Sequence, residues 1–269
     1  MERIRHHFEV ERELAQRLRN STRDERTKLF KTLYAELFQR VPDHPRLTRR
    51  ESAASSARNV EAQLKLLRPL LAPDITLLEF APGDCRLAYA AAKLVKRVIG
   101  VDISDQHATD DTCPANFSLE VYDGYRLAVP DASVDLVFSY QLLEHLHPDD
   151  VALHFESAWR ILKPGGAYVF ASPHRYSGPH DVSGHFSNYC ECFHFQEWTY
   201  RQMFQLLKSH GFAPVYIFRF GKVQKSLWFR WLTLGLESMM GLFPRAAQRR
   251  LSTRLFQSVT MVASKNNHR

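Results

Sequence analysis

The stretch Leu77-Leu78-Glu79-Phe80-Ala81-Pro82-Gly83-Asp84-Cys85-Arg86 (LLEFAPGDCR, residues 77–86) decides how the rest of the chain is read. Two aliphatic residues run into a carboxylate, a loop with Pro and Gly follows, and LAYAAAKLVKR continues with helical character. A strand, a tight loop and a helix in that order open a doubly wound sheet, whose ligands bind outside the carboxyl ends of the strands. Glu79 stands at such an end, and Gly83 lets the backbone turn sharply or approach a ligand closely.

Downstream, apolar bursts of about five residues alternate with helical segments, the pattern of a parallel sheet covered on both faces. The bursts are 75–80, 97–103, 117–123, 134–140 and 167–173, with helices expected at 86–95, near 105–112 and at 148–162. A helix at 199–211 ends on Gly211, a C-cap residue. Two further strands, 212–220 and 256–264, flank a helical insertion at 221–255 and fit an antiparallel edge. The fold class is therefore α/β: a doubly wound, mostly parallel seven-stranded sheet with an antiparallel edge strand and an N-terminal helical extension. Upstream, residues 1–57 read as amphipathic helices broken near Asn20-Ser21-Thr22, then a linker at 41–57, so the main domain is expected over 58–264.

The bulk numbers are those of a globular chain able to bury a full core: 269 residues, 45% hydrophobic and 24% charged. Net charge is +7, which favours an anionic partner of some kind. Four cysteines are too sparse for a disulfide framework, the start is too charged for a secretory signal, and no apolar run is long enough to span a bilayer. A cytoplasmic location is the expectation.

The loop chemistry narrows the ligand. A dinucleotide wants G-x-G-x-x-G, so that backbone amides meet a pyrophosphate. Residues 81–85 lack that spacing, and Glu79 and Asp84 repel phosphate. Asp102, closing the second strand, can accept hydrogen bonds from both ribose hydroxyls of an adenosine. A pocket edged with carboxylates suits a cationic, phosphate-free nucleoside, and S-adenosylmethionine fits.

These residues carry a family resemblance. Residues 76–173 resemble a class I S-adenosylmethionine-dependent methyltransferase of the small-molecule branch. Glu79 to Cys85 stands where that family has an acid followed by three alternating glycines, Asp102 in GVDIS matches the ribose-binding acid, and QLLEHL and ILKPGGAYVFASP match the start after the fourth strand and the turn into the fifth. YDGYRLAVPDASVDLVFS makes Asp123 the adenine contact and Gly124 its neighbour. The resemblance thus implies S-adenosylmethionine as cofactor, held by Glu79, Ala81, Gly83, Asp102, Ile103, Asp123, Gly124, Ser139 and Tyr140. Ala81 and Cys85 depart from the glycine pattern; Cys85 is compatible with a ligand only if its φ is negative and its side chain points away.

Methyl transfer needs alignment above all, and a hydroxyl acceptor commonly needs a histidine base. His145, beside the end of the fourth strand, is the first candidate. The loop 173–198, leaving the fifth strand, should cover the acceptor side and supplies His180, paired with Asp181, and His194. Cys190, Cys192 and His194, with His185, alternate as zinc ligands in an extended segment would, but the spacing is not C-x-x-C and a period of two also marks buried strand positions. The expectation is no metal.

In the insertion, SLWFRWLTLGLESMMGLF is apolar on most sides and PRAAQRRLSTR follows with four arginines. Residues 226–254 are therefore expected either to pack on the core or in a homodimer, or to touch a membrane surface or a lipid-linked substrate. The functional expectation is methylation of a small-molecule, glycan or lipid-type acceptor at oxygen. The alternatives are N-methylation of a macromolecule, against which no nucleic-acid module is found, and a non-catalytic binding or assembly subunit.

Overall fold

Leu77 and Leu78 are adjacent and both buried, as alternating positions of a strand are when both faces of the sheet are covered. In the computed structural model, which describes residues 1–44, 53–107 and 112–266, they sit in β1 (Thr76–Phe80). Leu77 packs with Leu87 and Ala88 of helix α4 (Arg86–Ala92) on one face. Leu78 and Phe80 pack with Phe155 and Ile161 of α5 (Val151–Ile161) on the other.

The sheet order is β3-β2-β1-β4-β5-β8-β6-β7. β2 (Arg97–Asp102), β3 (Phe117–Val121), β4 (Val134–Tyr140) and β5 (Leu162–Pro173) extend β1 in parallel register. The chain order reverses between β1 and β4, so the crevice beyond their carboxyl ends is where ligands bind in such sheets. β8 (Ser258–Lys265) lies antiparallel between β5 and β6 (Phe212–Arg219). The antiparallel strand is thus interior. The seven expected strands are joined by a short eighth, β7 (Lys222–Gln224), which folds back on β6 and forms the edge. β5 begins five residues before the burst at 167, because Leu162 already pairs with Val134 ahead of a register shift across the Pro-Gly-Gly turn.

Helices α1 (Glu2–Arg19) and α2 (Arg23–Arg40) meet at the expected break, where Thr22 and Glu25 form a reciprocal cap. α3 (Ala53–Leu67) starts inside the Ser/Ala-rich stretch read as linker; alanine is the best helix former, and composition alone misled there. Residues 45–52 of that linker, and 108–111 of the helix expected near 105–112, lie outside the described residues; 103–107 are not helical. α6 (Tyr200–Ser209), α7 (Leu227–Gly241) and α8 (Arg245–Leu255) complete the described helices, none of which is long and apolar enough to cross a membrane.

The N-terminal helices build a third core cluster, Val10, Leu14, Leu18, Leu33 and Leu37, which also takes in Phe193 and Phe195 from the loop after β5. Both segments are thereby fastened at the carboxyl end of the sheet.

Candidate functional site

The loop between β1 and α4 holds three alternate residues in the left-handed region: Ala81 (φ 54°), Gly83 (φ 55°) and Cys85 (φ 61°). Only glycine adopts this without cost. The condition of a negative φ at Cys85 is not met; its amide donates to the Pro82 carbonyl (3.0 Å), closing the turn through Gly83 and Asp84. Its side chain does point away, buried among Leu64, Leu67 and Leu87. Burial pushes the thiol up to about 12, with Glu79 and Asp102 adding to the rise.

Asp102 ends β2 beside this loop. Its carboxylate accepts from the Gly83 amide (3.3 Å) and the Ser104 amide (3.2 Å), tying the two loops together. Glu79 is 4% exposed and its Oε2 has no hydrogen-bond partner. Burial, and then the charges of Asp84 and Asp102, raise its carboxyl to about 8. A buried carboxyl that has lost water without gaining a partner is costly unless a ligand supplies one.

A crevice of about 480 Å³ opens beside Asp102 and the start of the loop after β1. Ala81, Gly83, Asp102, Ile103, Gly124, Tyr140, Gln141 and His145 line it, as do Tyr122 and His154, which the sequence pattern did not single out; Glu79 is not among the lining residues. Gln141 has φ 54° at the end of β4, a strained backbone where β4 gives way to the crevice wall. The N-terminal extension supplies the opposite wall through Leu18, Phe30 and Tyr34. Phe30 packs so close to Gly124 (φ 89°) that a β-carbon there would lie 3.1 Å from its ring.

Two of the nine expected cofactor contacts are occupied otherwise. Ser139 is fully buried and its hydroxyl bonds the Tyr168 hydroxyl (2.7 Å), which also meets His154 Nε2 (2.7 Å). Asp123 Oδ1 accepts from the Tyr125 and Arg126 amides (2.8 and 2.7 Å), holding the turn that presents Gly124. Burial lowers His154 to about 3, so its imidazole stays neutral.

The three histidines separate. His145 stands in the crevice wall, its Nδ1 paired with the Phe193 carbonyl (3.0 Å). His194 lies behind it, the two rings edge to face with centroids 4.8 Å apart. His180 is further back and does not pair with Asp181. Its Nδ1 meets Glu197 Oε1 (3.1 Å), which also takes His194 Nδ1 (2.9 Å), while Asp181 accepts the His194 and Ser183 amides. Neighbours in an extended segment point apart, which is why the sequence pair fails. Burial would raise Glu197, but the hydrogen bonds from His180 and His194 outweigh it and hold the carboxyl at about 2. Glu144, fully buried beside His145 and His194, has Oε1 unpartnered and Oε2 on the Ser172 hydroxyl (3.0 Å); burial raises it to about 7. Of the residues weighed for zinc, Cys192 Sγ contacts the Phe8 carbonyl (3.8 Å) and His194 is committed to Glu197.

Residues 78–170 match the family described as a methyltransferase domain. A curated protein of Mycolicibacterium smegmatis, named "Probable S-adenosylmethionine-dependent methyltransferase", is 31% identical over 141 residues, 51% of this chain and 51% of its own length. The chain thus spans about half the length of the curated relatives it matches. Among solved structures, a chain from the complex of the Haloferax volcanii Trm112 methyltransferase activator with its methyltransferase superposes with TM-score 0.55 at 19% identity, covering 80% of this chain and 95% of that one. The Haemonchus contortus phosphoethanolamine N-methyltransferase 2, solved with S-adenosyl-L-methionine, gives TM-score 0.52 at 20% identity, over 78% of this chain and 52% of that one.

Proposed function

We propose, for a chain that carries a class I S-adenosylmethionine-dependent methyltransferase domain, that it transfers a methyl group from S-adenosylmethionine to the oxygen of a small-molecule, glycan or lipid-type acceptor. One observation carries the cofactor side: a buried carboxyl, Glu79, with an oxygen lacking any partner, under a loop whose backbone repeats a glycine conformation at 81, 83 and 85. With Asp102 beside it, that arrangement fits a cation and rejects phosphate.

The residues present fit the group. Asp102 and Ile103 would hold the ribose end, Gly124 and Tyr122 the base, and Glu79 with the loop 81–85 the charged tail. Bound S-adenosylmethionine supplies a methyl carbon on a good leaving group, so alignment is the main task of the protein. Tyr140 and Gln141 at the end of β4 frame the place where an acceptor would be oriented. Phe30, Tyr34, Phe193 and Phe195 wall that place and exclude water.

His145 is the base this reading favours. Donating Nδ1–H to the Phe193 carbonyl places the lone pair on Nε2, which takes the proton of an acceptor hydroxyl. His194 and Glu144 adjoin its ring and act through it; His180 belongs to the support behind. The domain division, 1–57 and 58–264, belongs to the same proposal, with the extension as a wall of the crevice and α3 running across the boundary.

Calorimetry with S-adenosylmethionine tests the cofactor, and radiolabelled methyl transfer to fractionated extracts tests the acceptor. Micromolar binding together with label in a lipid, glycan or small-molecule fraction is expected. Absence of binding at millimolar ligand would overturn the enzymatic reading.

A further inference from the structure

Helix α7 is inside out. Its inward face is Thr233, Leu234, Glu237 and Met240, all buried. Glu237 accepts from His174 Nε2 (2.8 Å) and from the Tyr200 and Arg201 amides (2.6 and 2.9 Å) that open α6. The acid therefore caps another helix and fixes how α7 is rotated. That rotation turns the tryptophans outward: Trp228 is 70% exposed, Trp231 66%, Met239 59% and Leu242 86%, with Leu232 and Leu236 between them. Spacings of three and four put these on one helical stripe. An exposed apolar stripe of this extent marks an interaction surface.

Charge says what covers it. Between residues 221 and 269 there are nine basic residues and one acid, Glu237, which is buried. The first 220 residues hold 27 basic and 28 acidic ones, so the net +7 of the chain arises wholly in this last segment. Lys222 and Lys225 before α7, and Arg250 and Arg254 on α8, are exposed. A second copy of the same face would bring like charges together. An anionic bilayer offers both what the stripe and its basic surround require: an acyl layer for leucine and tryptophan, and negative headgroups. Tryptophan favours the boundary between the two. At 15 residues α7 is too short to span a bilayer and long enough to lie in its surface.

We propose that the outward face of α7, with Arg250 and Arg254 of α8 and with Lys222 and Lys225 at the two ends of β7, docks on an anionic phospholipid surface. The docking is independent of methyl transfer and holds for the protein with or without cofactor.

The test is flotation of the full chain with vesicles of equal parts phosphatidylcholine and phosphatidylglycerol, against phosphatidylcholine alone. Binding to the anionic vesicles, weakened by high salt, with a blue shift of tryptophan fluorescence, is expected. Trp228→Ser with Trp231→Ser should lower the vesicle partition coefficient about tenfold or more and abolish the blue shift. Arg250→Glu with Arg254→Glu should lower binding to anionic vesicles only, and carries the test if the tryptophan pair misfolds; circular dichroism decides that. No binding to anionic vesicles, or binding unchanged in both pairs, overturns the proposal. So does a concentration-dependent dimer in sedimentation velocity that the tryptophan pair abolishes, since the face would then belong to a second copy.

Discussion

Arg26 and Asp150 form a buried, two-pronged ion pair: Nε lies 2.9 Å from Oδ2 and Nη2 donates to Oδ1 at 3.0 Å. Arg26 is 2% exposed and Asp150 8%. The Tyr125 hydroxyl joins both, accepting from Arg26 Nε and donating to Asp150 (3.0 Å each). The contact pins α2 to the turn that begins α5, and so fixes one wall of the crevice to the sheet.

Removing one partner of a buried pair strands the other, which costs more than the pair contributes. Arg26→Ala should therefore destabilise the chain by about 3–5 kcal/mol, measured by urea unfolding. Limited proteolysis should then cut first within the N-terminal helices. Unchanged stability would mean that α2 is held by its apolar contacts alone.

Asp102→Ala should weaken S-adenosylmethionine binding by about tenfold or more, the scale of a lost hydrogen bond to a charged group. Circular dichroism should be unchanged. Because Asp102 also accepts the Gly83 and Ser104 amides, Asp102→Asn, which keeps an acceptor, should recover part of the loss in calorimetry. An affinity equal to that of the parent would remove Asp102 from the ribose contact.

Ala81→Gly should stabilise the chain by about 1 kcal/mol, because an exposed alanine at φ 54° carries left-handed strain that glycine does not. Gly83→Ala should cost a similar amount although nothing lies within 4 Å of the added carbon, so the effect is conformational. Thermal unfolding reads both; a lower melting temperature for Ala81→Gly would contradict the strain argument.

Glu79 should make ligand binding depend on pH. Burial, then Asp84 and Asp102, raise it from 4.5 to about 8, so the ligand-free protein is protonated there at neutral pH. A cationic ligand favours the ionised form, so affinity should climb as pH rises toward 8 and level off above. Binding at pH 7 should release a proton, seen as a calorimetric heat that varies with buffer. For stability the sign is opposite: the folded state holds the extra proton between about 4.5 and 8, so this group's contribution falls as pH rises through that window. Glu79→Gln should be more stable than the parent above pH 8 and show flat binding against pH.

The parallel sheet was legible in the order of residues, because strands covered on both faces leave continuous apolar runs that can be recognised locally. The candidate crevice was legible for a related reason, since Glu79, Asp102 and the loop at 81–85 fall at strand ends and in a tight turn. The break at Thr22 was legible for the same reason: a cap is a contact between near neighbours. The rest came from contacts between distant parts of the chain. Ser139 left the crevice because Tyr168, 29 residues away, claims its hydroxyl, and His180 abandoned Asp181 for Glu197 because a side chain's partner depends on how the loop folds. The interior place of β8 depended on which edge it met. The apolar helix at 227–241 reads the same whether buried or bare, and the long-range bonds to Glu237, from His174 across 63 residues and from the Tyr200 and Arg201 amides, set which face turned to solvent. Periodicity and turns are local and survive in a string of letters; burial and pairing are distances between parts of the chain that only folding brings together.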